Sequence, residues 1–488
     1  MQTPLLRSYP RMADLSETDV FKERAGLIMK LGSGFFADAY DLFIIDIVLA
    51  ILDQLPASQG LGLTSGSRGL IACSTSLGAV IGMVFFGVLG DRVGRRAGIL
   101  CTGTLVFLGS MASSLVMRTR SFPLAYQLCL TRFVLGFGIG GEYPLSAAMA
   151  AEKSQSEVRG RMVAAVFSMQ GVGMIAAALV PLVVLSAGLS LELAWRLLLC
   201  FAVVPSGLSL YWRFGLEETS AFDQLQYSRS RESDVWSTLR STIREHWTPL
   251  LGAALSWLLM DVTFYGTAEF KHEVADSLFA QKAGVAQVER DSWFALVVSV
   301  IALPGYVCAC LFIDTVGRYR LQAVGFAMMT LFYLIMAAST RLGAALWVNL
   351  LIFSATFFWT NFGPNVTTYI IPSEIFPVAS RTTCHGICAA SGKIGAIVGA
   401  YFFPVVQSWS GLPFVMVVCA GIAALGLLCT VKLLPVCHIA MDTLSTAPAS
   451  GLEMAPLSTV REWPGGKYTR LPSVGTAHED AEFDPEGL

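Results

Sequence analysis

Gly90-Asp91-Arg92-Val93-Gly94-Arg95-Arg96 and Asp314-Thr315-Val316-Gly317-Arg318-Tyr319-Arg320 carry the same Asp, Gly and Arg at the same spacing, 223 residues apart. Each follows a long apolar stretch. A second pair lies at nearly the same offset: Glu152 precedes Arg159 by seven residues, and Glu374 precedes Arg381 by seven. Two motifs at one offset imply a duplicated unit. Glycine permits a tight turn and close helix approach. The Asp can pair with Arg or cap a helix N-terminus. Asp91, Arg95, Glu152, Arg159, Asp314, Arg318, Glu374 and Arg381 are therefore candidates for a latch closing one end of the two units. The plainer reading is positive charge retained on the inner side of a membrane, but that needs only Lys or Arg.

The surrounding composition supports a membrane chain. Of 488 residues, 54% are hydrophobic and 14% charged, against about 25% charged in a soluble domain; mean hydropathy is +0.62. A net charge of −2 excludes a basic nucleic-acid reader, and the apolar content excludes a disordered chain. Eleven cysteines are too dilute for a disulfide scaffold. A spanning helix needs ~20 mostly apolar residues. Twelve stretches qualify: 27–52, 68–90, 97–117, 122–150, 161–186, 193–214, 247–268, 293–313, 321–340, 344–371, 383–408 and 412–434. They divide the chain into a tail (1–25), a six-helix bundle (26–215), a polar linker (216–246), a second bundle (247–434) and a polar tail (435–488) whose composition predicts disorder. The first 20 residues have no apolar core with a small-residue cleavage site, so the first span is expected to act as insertion signal. With the N-terminus inside, the inner loops hold fourteen Lys and Arg, Arg213 among them, and the outer loops seven. Both termini are then cytoplasmic.

The expected fold is all-α: twelve transmembrane helices in two pseudo-symmetric halves, the pattern of major facilitator transporters. An ionisable group at mid-membrane costs at least ~2.5–3.5 kcal/mol, so Asp38, Asp41, Arg132, Glu142, Asp261 and Lys393 are informative. The repeat relates Asp38 to Asp261, Glu142 to Asn365 and Gln170 to Lys393. Polar groups thus recur in spans one and seven, four and ten, five and eleven, and should face one shared site. Isolated interhelical polar contacts are the alternative. Trp257, Asp261 and Tyr265 sit at i, i+4 and i+8, on one helical face. With Tyr143, Gln170 and Asn365 they surround one Lys with hydrogen-bonding groups, which suits a tetrahedral oxyanion. Such an anion and the carboxylates repel unless the acids are protonated. Anion binding and proton uptake would then be linked.

These residues make the family recognisable. Asp38-Ala39-Tyr40-Asp41-Leu42-Phe43, Gly140-Gly141-Glu142-Tyr143-Pro144-Leu145-Ser146, Met169-Gln170-Gly171, Trp257 to Tyr265, Asn361-Phe362-Gly363-Pro364-Asn365, Pro372 to Pro377 and Ser391-Gly392-Lys393-Ile394-Gly395-Ala396 resemble the phosphate:proton symporters of the major facilitator superfamily across nearly all spans. The resemblance implies that Tyr143, Gln170, Trp257, Asp261, Tyr265, Asn365 and Lys393 handle inorganic phosphate. It associates Asp38, Asp41 and Glu142 with the proton pathway, to which Arg132, the further charge of the fourth span, is also assigned. It further implies a multi-pass protein of the plasma membrane whose partners are phosphate, protons and lipid. The family usually has Asp where this chain has Glu142, one methylene longer. An organic phosphate ester, or a receptor that binds without transport, remains an alternative; uptake of a sugar or organic cation is disfavoured by Lys393. Cys384 and Cys388 have metal-like spacing but lack a second pair, and no metal is expected. Asn365-Val366-Thr367 fits a glycosylation pattern, but within a span rather than a surface loop. No phosphate loop, triad or dinucleotide fingerprint stands in a supporting context, so neither an enzyme nor a cofactor is expected.

Overall fold

The computed structural model describes residues 16–55, 65–117, 119, 122–228, 235–269, 274–276, 279 and 284–435. Arg118, Arg120, Arg229, Arg231, Lys271 and Lys282 of the loop charges, and the tail from 436, lie outside them. All long elements are helices: α1 (Glu17–Asp53), α2 (Ser65–Val93), α3 (Arg95–Ser114), α4 (Leu124–Glu152), α5 (Arg159–Ser186), α6 (Leu191–Phe201), α7 (Val203–Arg213), α8 (Ser220–Ser228), α9 (Val235–Glu245), α10 (Trp247–Glu269), α11 (Val285–Val316), α12 (Arg318–Arg341), α13 (Leu346–Phe362), α14 (Pro364–Ile375) and α15 (Arg381–Leu433). Helices keep every backbone hydrogen bond within the segment, as a chain in lipid requires. Among the described residues ten stretches are long and apolar enough to cross a membrane, α6 with α7 and α13 with α14 each forming one. α15 breaks at Gly411, where φ is 75°, and so supplies two crossings. α1 is as long as these but carries Asp38, Asp41 and Asp46. The crossings thus match the twelve expected spans.

The duplication is visible in the backbone. Gly94 and Gly317 have φ of 116° and 93°, a conformation that side chains resist. Each turns the chain directly into the next helix. Helix contacts repeat as well: α1 packs on α5 as α10 packs on α15, and α2 on α4 as α11 on α13. The halves meet through α2 against α15 and α5 against α11, again related by the repeat. Small residues allow the close approach. A Cβ at Gly136 or Gly140 of α4 would collide with the Thr75 or Ala79 carbonyl oxygen of α2.

A layer of aromatic rings fills the middle of the molecule. Phe35 of α1 meets Tyr143 of α4, Phe167 of α5 and Tyr369 of α14 edge-on, at 5.3, 5.4 and 5.3 Å between centroids. Phe167 and Tyr369 stack at 4.5 Å, and Trp257 of α10 joins Tyr143 at 6.3 Å. Such pairs add ~0.5–1.5 kcal/mol each beyond their burial. They bring residues from both halves to one level, where the buried polar residues begin.

Candidate functional site

The first polar group belongs to the second half. Lys393 of α15 is buried, and its Nζ donates to Tyr265 Oη of α10. The ammonium lies 3.8 Å from the Tyr265 ring centroid and 5.3 Å from that of Tyr143. Asp261 lies one turn before Tyr265, faces Lys393 and is hydrogen-bonded by Trp257. The i, i+4, i+8 spacing thus puts Tyr265 and Asp261 at the cation, with Trp257 hydrogen-bonded to Asp261 on the same face. Asn365 of α14 donates to Tyr306 Oη (2.8 Å) and Asn361 Oδ1 (2.9 Å). Tyr306 stands within electrostatic range of Tyr143 and Asp261. Gln170 of α5 is buried with its Oε1 lacking a hydrogen-bond partner; a side chain at the next residue, Gly171, would collide with Tyr306.

The other charges lie in the first half, in two fixed pairs. Arg132 of α4 bridges Asp41 of α1 at 3.3 Å, and Ser110 Oγ donates to the same carboxylate at 2.7 Å. Glu142 of α4 binds Arg213 of α7 through both carboxylate oxygens, with Thr102 Oγ1 donating at 3.2 Å. This corrects the loop assignment of Arg213: its side chain is buried at the end of α7 and lies along α1, donating to the Lys30 carbonyl at 3.2 Å. Asp38 stands near Glu142, Arg213, Asp41 and Lys393. It is buried, and neither carboxyl oxygen has a hydrogen-bond partner.

The motif residues gather at the far end of the helices. Asp91 accepts hydrogen bonds from Thr382 N (3.2 Å) and Thr383 N (2.8 Å), at the start of α15 in the other half. Asp314 does the same for Gly160 N (3.1 Å) and Arg161 N (2.9 Å), at the start of α5. A carboxylate at a helix N-terminus satisfies unbonded N–H groups and the helix dipole, and here each crosses between halves. Glu152 is held by Arg95 (3.0 Å) and, from the other half, Arg381 (2.8 Å). Arg318 binds Asp314 (3.0 Å) and Glu374 (2.7 Å), and Arg159 donates to the Ala151 carbonyl (3.1 Å).

Sequence reasoning missed Arg213, Tyr306 and Tyr369. The Tyr369 hydroxyl is buried without a partner. For Tyr306 the repeat gives no signal, since its counterpart 223 residues earlier is Met83.

A twelve-helix chain with two repeated halves, buried charges at the level where they meet and interlocked loops at one end is a major facilitator transporter. Solved structures share that fold. A proton:xylose symporter of the superfamily superposes with a TM-score of 0.70 at 18% identity, over 85% of this chain and 96% of its own. A partially occluded, inward-open xylose transporter from E. coli gives 0.66 at 18%, over 85% and 98%. The sugar (and other) transporter family model matches residues 26–252 and 273–441. The probable inorganic phosphate transporter 1-6 of Arabidopsis thaliana is 33% identical over 86% of this chain and 92% of its own length. Inorganic phosphate transporter 1-6 of Oryza sativa subsp. japonica is 35% identical over 77% and 81%. The chain belongs to the sugar (and other) transporter family, among the relatives named inorganic phosphate transporters.

Proposed function

We propose that this protein carries inorganic phosphate together with protons across a membrane by alternating access. The observation that carries the reading is Lys393, ringed by Tyr265, Tyr143, Asp261 and Trp257. A buried ammonium among O–H and N–H donors suits a small oxyanion, and it repels the organic cations that carboxylates alone would attract. The names of the relatives agree with that chemistry. Gln170 and Asn365 extend the ring of hydrogen-bonding groups. Asp261 contacts the anion as its protonated acid, and Asp38, Asp41, Glu142 and Arg132 form the proton side of the site. Residues 26–215 and 247–434 rock as two bodies about this level. The membrane is the plasma membrane, with both termini cytoplasmic. Purified protein tests the substrate directly: unlabelled inorganic phosphate should displace bound radiolabelled phosphate, with glycerol phosphate and xylose at least ~10-fold weaker. Equal displacement by the ester would favour the organic phosphate alternative.

The interlocked end is the cytoplasmic gate, closed here. Hydrogen bonds to a charged group are worth ~1.5–3 kcal/mol each, so the Asp91 and Asp314 caps hold this state strongly. Asp91→Asn with Asp314→Asn should raise the inward-open population at least ~10-fold. Spin labels on the inner ends of α2 and α15 would then show a longer distance. An unchanged distance distribution would show that the caps decorate the loops without holding them.

A further inference from the structure

The charges around the site do not balance, and the imbalance singles out one side chain. Around the site, four buried carboxylates (Asp38, Asp41, Glu142 and Asp261) stand with three buried cations, Arg132, Arg213 and Lys393; the other buried charges of the described residues, Asp91, Arg95 and Arg381 at the interlocked end and Arg290 with Asp291, are paired apart from it. Arg132 is taken by Asp41, with the partly exposed Asp46 also in its field. Lys393 faces Asp261. Arg213 is taken by both oxygens of Glu142. Asp38 remains with no hydrogen-bond partner on either oxygen. A buried carboxylate with no hydrogen bond of its own is costly to keep ionised.

The seat of Arg213 is built for this pairing. Lys30, Gly34 and Asp38 sit at i, i+4 and i+8, on one face of α1. The guanidinium runs along that face, donating to the carbonyls of Lys30 (3.2 Å) and Leu31 (3.5 Å). Gly34 makes the room: a Cβ there would overlap Arg213 Nη2 and come within 2.6 Å of Glu142 Oε2. On the opposite side, a Cβ at Gly103 of α3 would lie 3.2 Å from Nη1. Tyr369 of α14 is the other titratable group in the field of the pair. The longer side chain of Glu142 lets both its oxygens reach the guanidinium.

We infer that Arg213 is the positioning residue of proton coupling: its ion pair occupies both oxygens of Glu142 and so leaves the movable proton of the first half to Asp38. The inference rests on the proton-coupled reading above and divides roles within it. Without Arg213, Asp38 and Glu142 would be two facing acids sharing one proton. With it, only Asp38 loads and unloads, so each cycle moves one proton through this half.

Proteoliposomes test the division through two readouts: phosphate uptake driven by an inward proton gradient, and phosphate exchange without one. Arg213→Gln and Glu142→Gln each leave one buried charge unpaired. Each should lower gradient-driven uptake at least ~10-fold, and Arg213→Gln should also alter the proton-to-phosphate ratio. The double variant Glu142→Gln with Arg213→Gln removes both charges together. It should recover uptake at least ~5-fold above either single variant, with the wild-type proton-to-phosphate ratio. Asp38→Asn should keep exchange and lose the one proton of this half from the proton-to-phosphate ratio. The inference is overturned if the double variant exchanges phosphate with that proton missing from its ratio, because Glu142 then carries it. It is also overturned if Asp38→Asn keeps the wild-type ratio. Should the double variant not fold, Arg213→Lys serves: it keeps the charge and should keep the pH profile, and a shifted profile contradicts the inference. A wild-type carrier indifferent to the gradient would instead remove the proton-coupled reading itself.

Discussion

Lys393→Ala should weaken phosphate binding by two orders of magnitude or more. The argument is one of charge. Lys393 is the cation set among Tyr265, Tyr143 and Asp261, and Arg132 and Arg213 are already committed to Asp41 and Glu142. A charge-assisted hydrogen bond is worth ~1.5–3 kcal/mol, and each 1.4 kcal/mol is about tenfold in affinity. Two such bonds make a loss of ~100-fold a lower bound. Calorimetric titration of purified protein with inorganic phosphate measures it. Affinity within a few-fold of wild type would show that the anion lies elsewhere.

Asp261→Asn should separate binding from accumulation. Asp261 stands one turn from Trp257 and one turn from Tyr265, on the side facing Lys393. Ionised, it repels a bound anion; protonated, it donates a hydrogen bond. The bound state therefore holds one proton more at this group than the empty state does. By linkage, affinity for phosphate falls as pH rises through the range where that proton is lost. Asn mimics the protonated acid at every pH. The variant should bind phosphate as tightly as wild type or more so, and its affinity should lose the part of the pH dependence due to this residue. Phosphate's own ionisation contributes equally to both proteins. Release would then lack its trigger, so exchange should survive while net accumulation against a gradient drops at least ~10-fold. If binding is lost in Asp261→Asn while Asp261→Glu transports normally, the residue acts through negative charge and the proton switch is wrong.

The sequence made the spans legible because lipid demands long apolar helices and because charges within them are expensive. It made the repeat legible because Gly94 and Gly317 occupy backbone conformations that few other residues accept. The three α10 residues were legible because helical spacing alone puts them on one face. Arg213 was not. An Arg at the end of an apolar span looks like positive-inside decoration, and nothing local tells whether a long side chain snorkels outward or turns inward. Here it turns inward because Gly34, far away in sequence, leaves space beside Glu142. Tyr306 and Tyr369 were hidden for a related reason. Their importance arises from contacts between helices that the chain order does not bring together, with Asn365 in one case and Phe35 and Phe167 in the other. The carboxylates Asp91 and Asp314 were visible as a repeated motif. That they cap helix N-termini in the opposite half depends on how the halves dock, which spacing does not encode.

The central claim is that phosphate and protons move together through the site around Lys393 and Asp261. Uptake of radiolabelled phosphate into proteoliposomes containing only this protein tests it most directly. With the interior alkaline relative to the outside, phosphate should accumulate above its external concentration, and a protonophore should abolish that accumulation. Equal uptake with and without the proton gradient, or none in vesicles whose protein still binds phosphate, would contradict it.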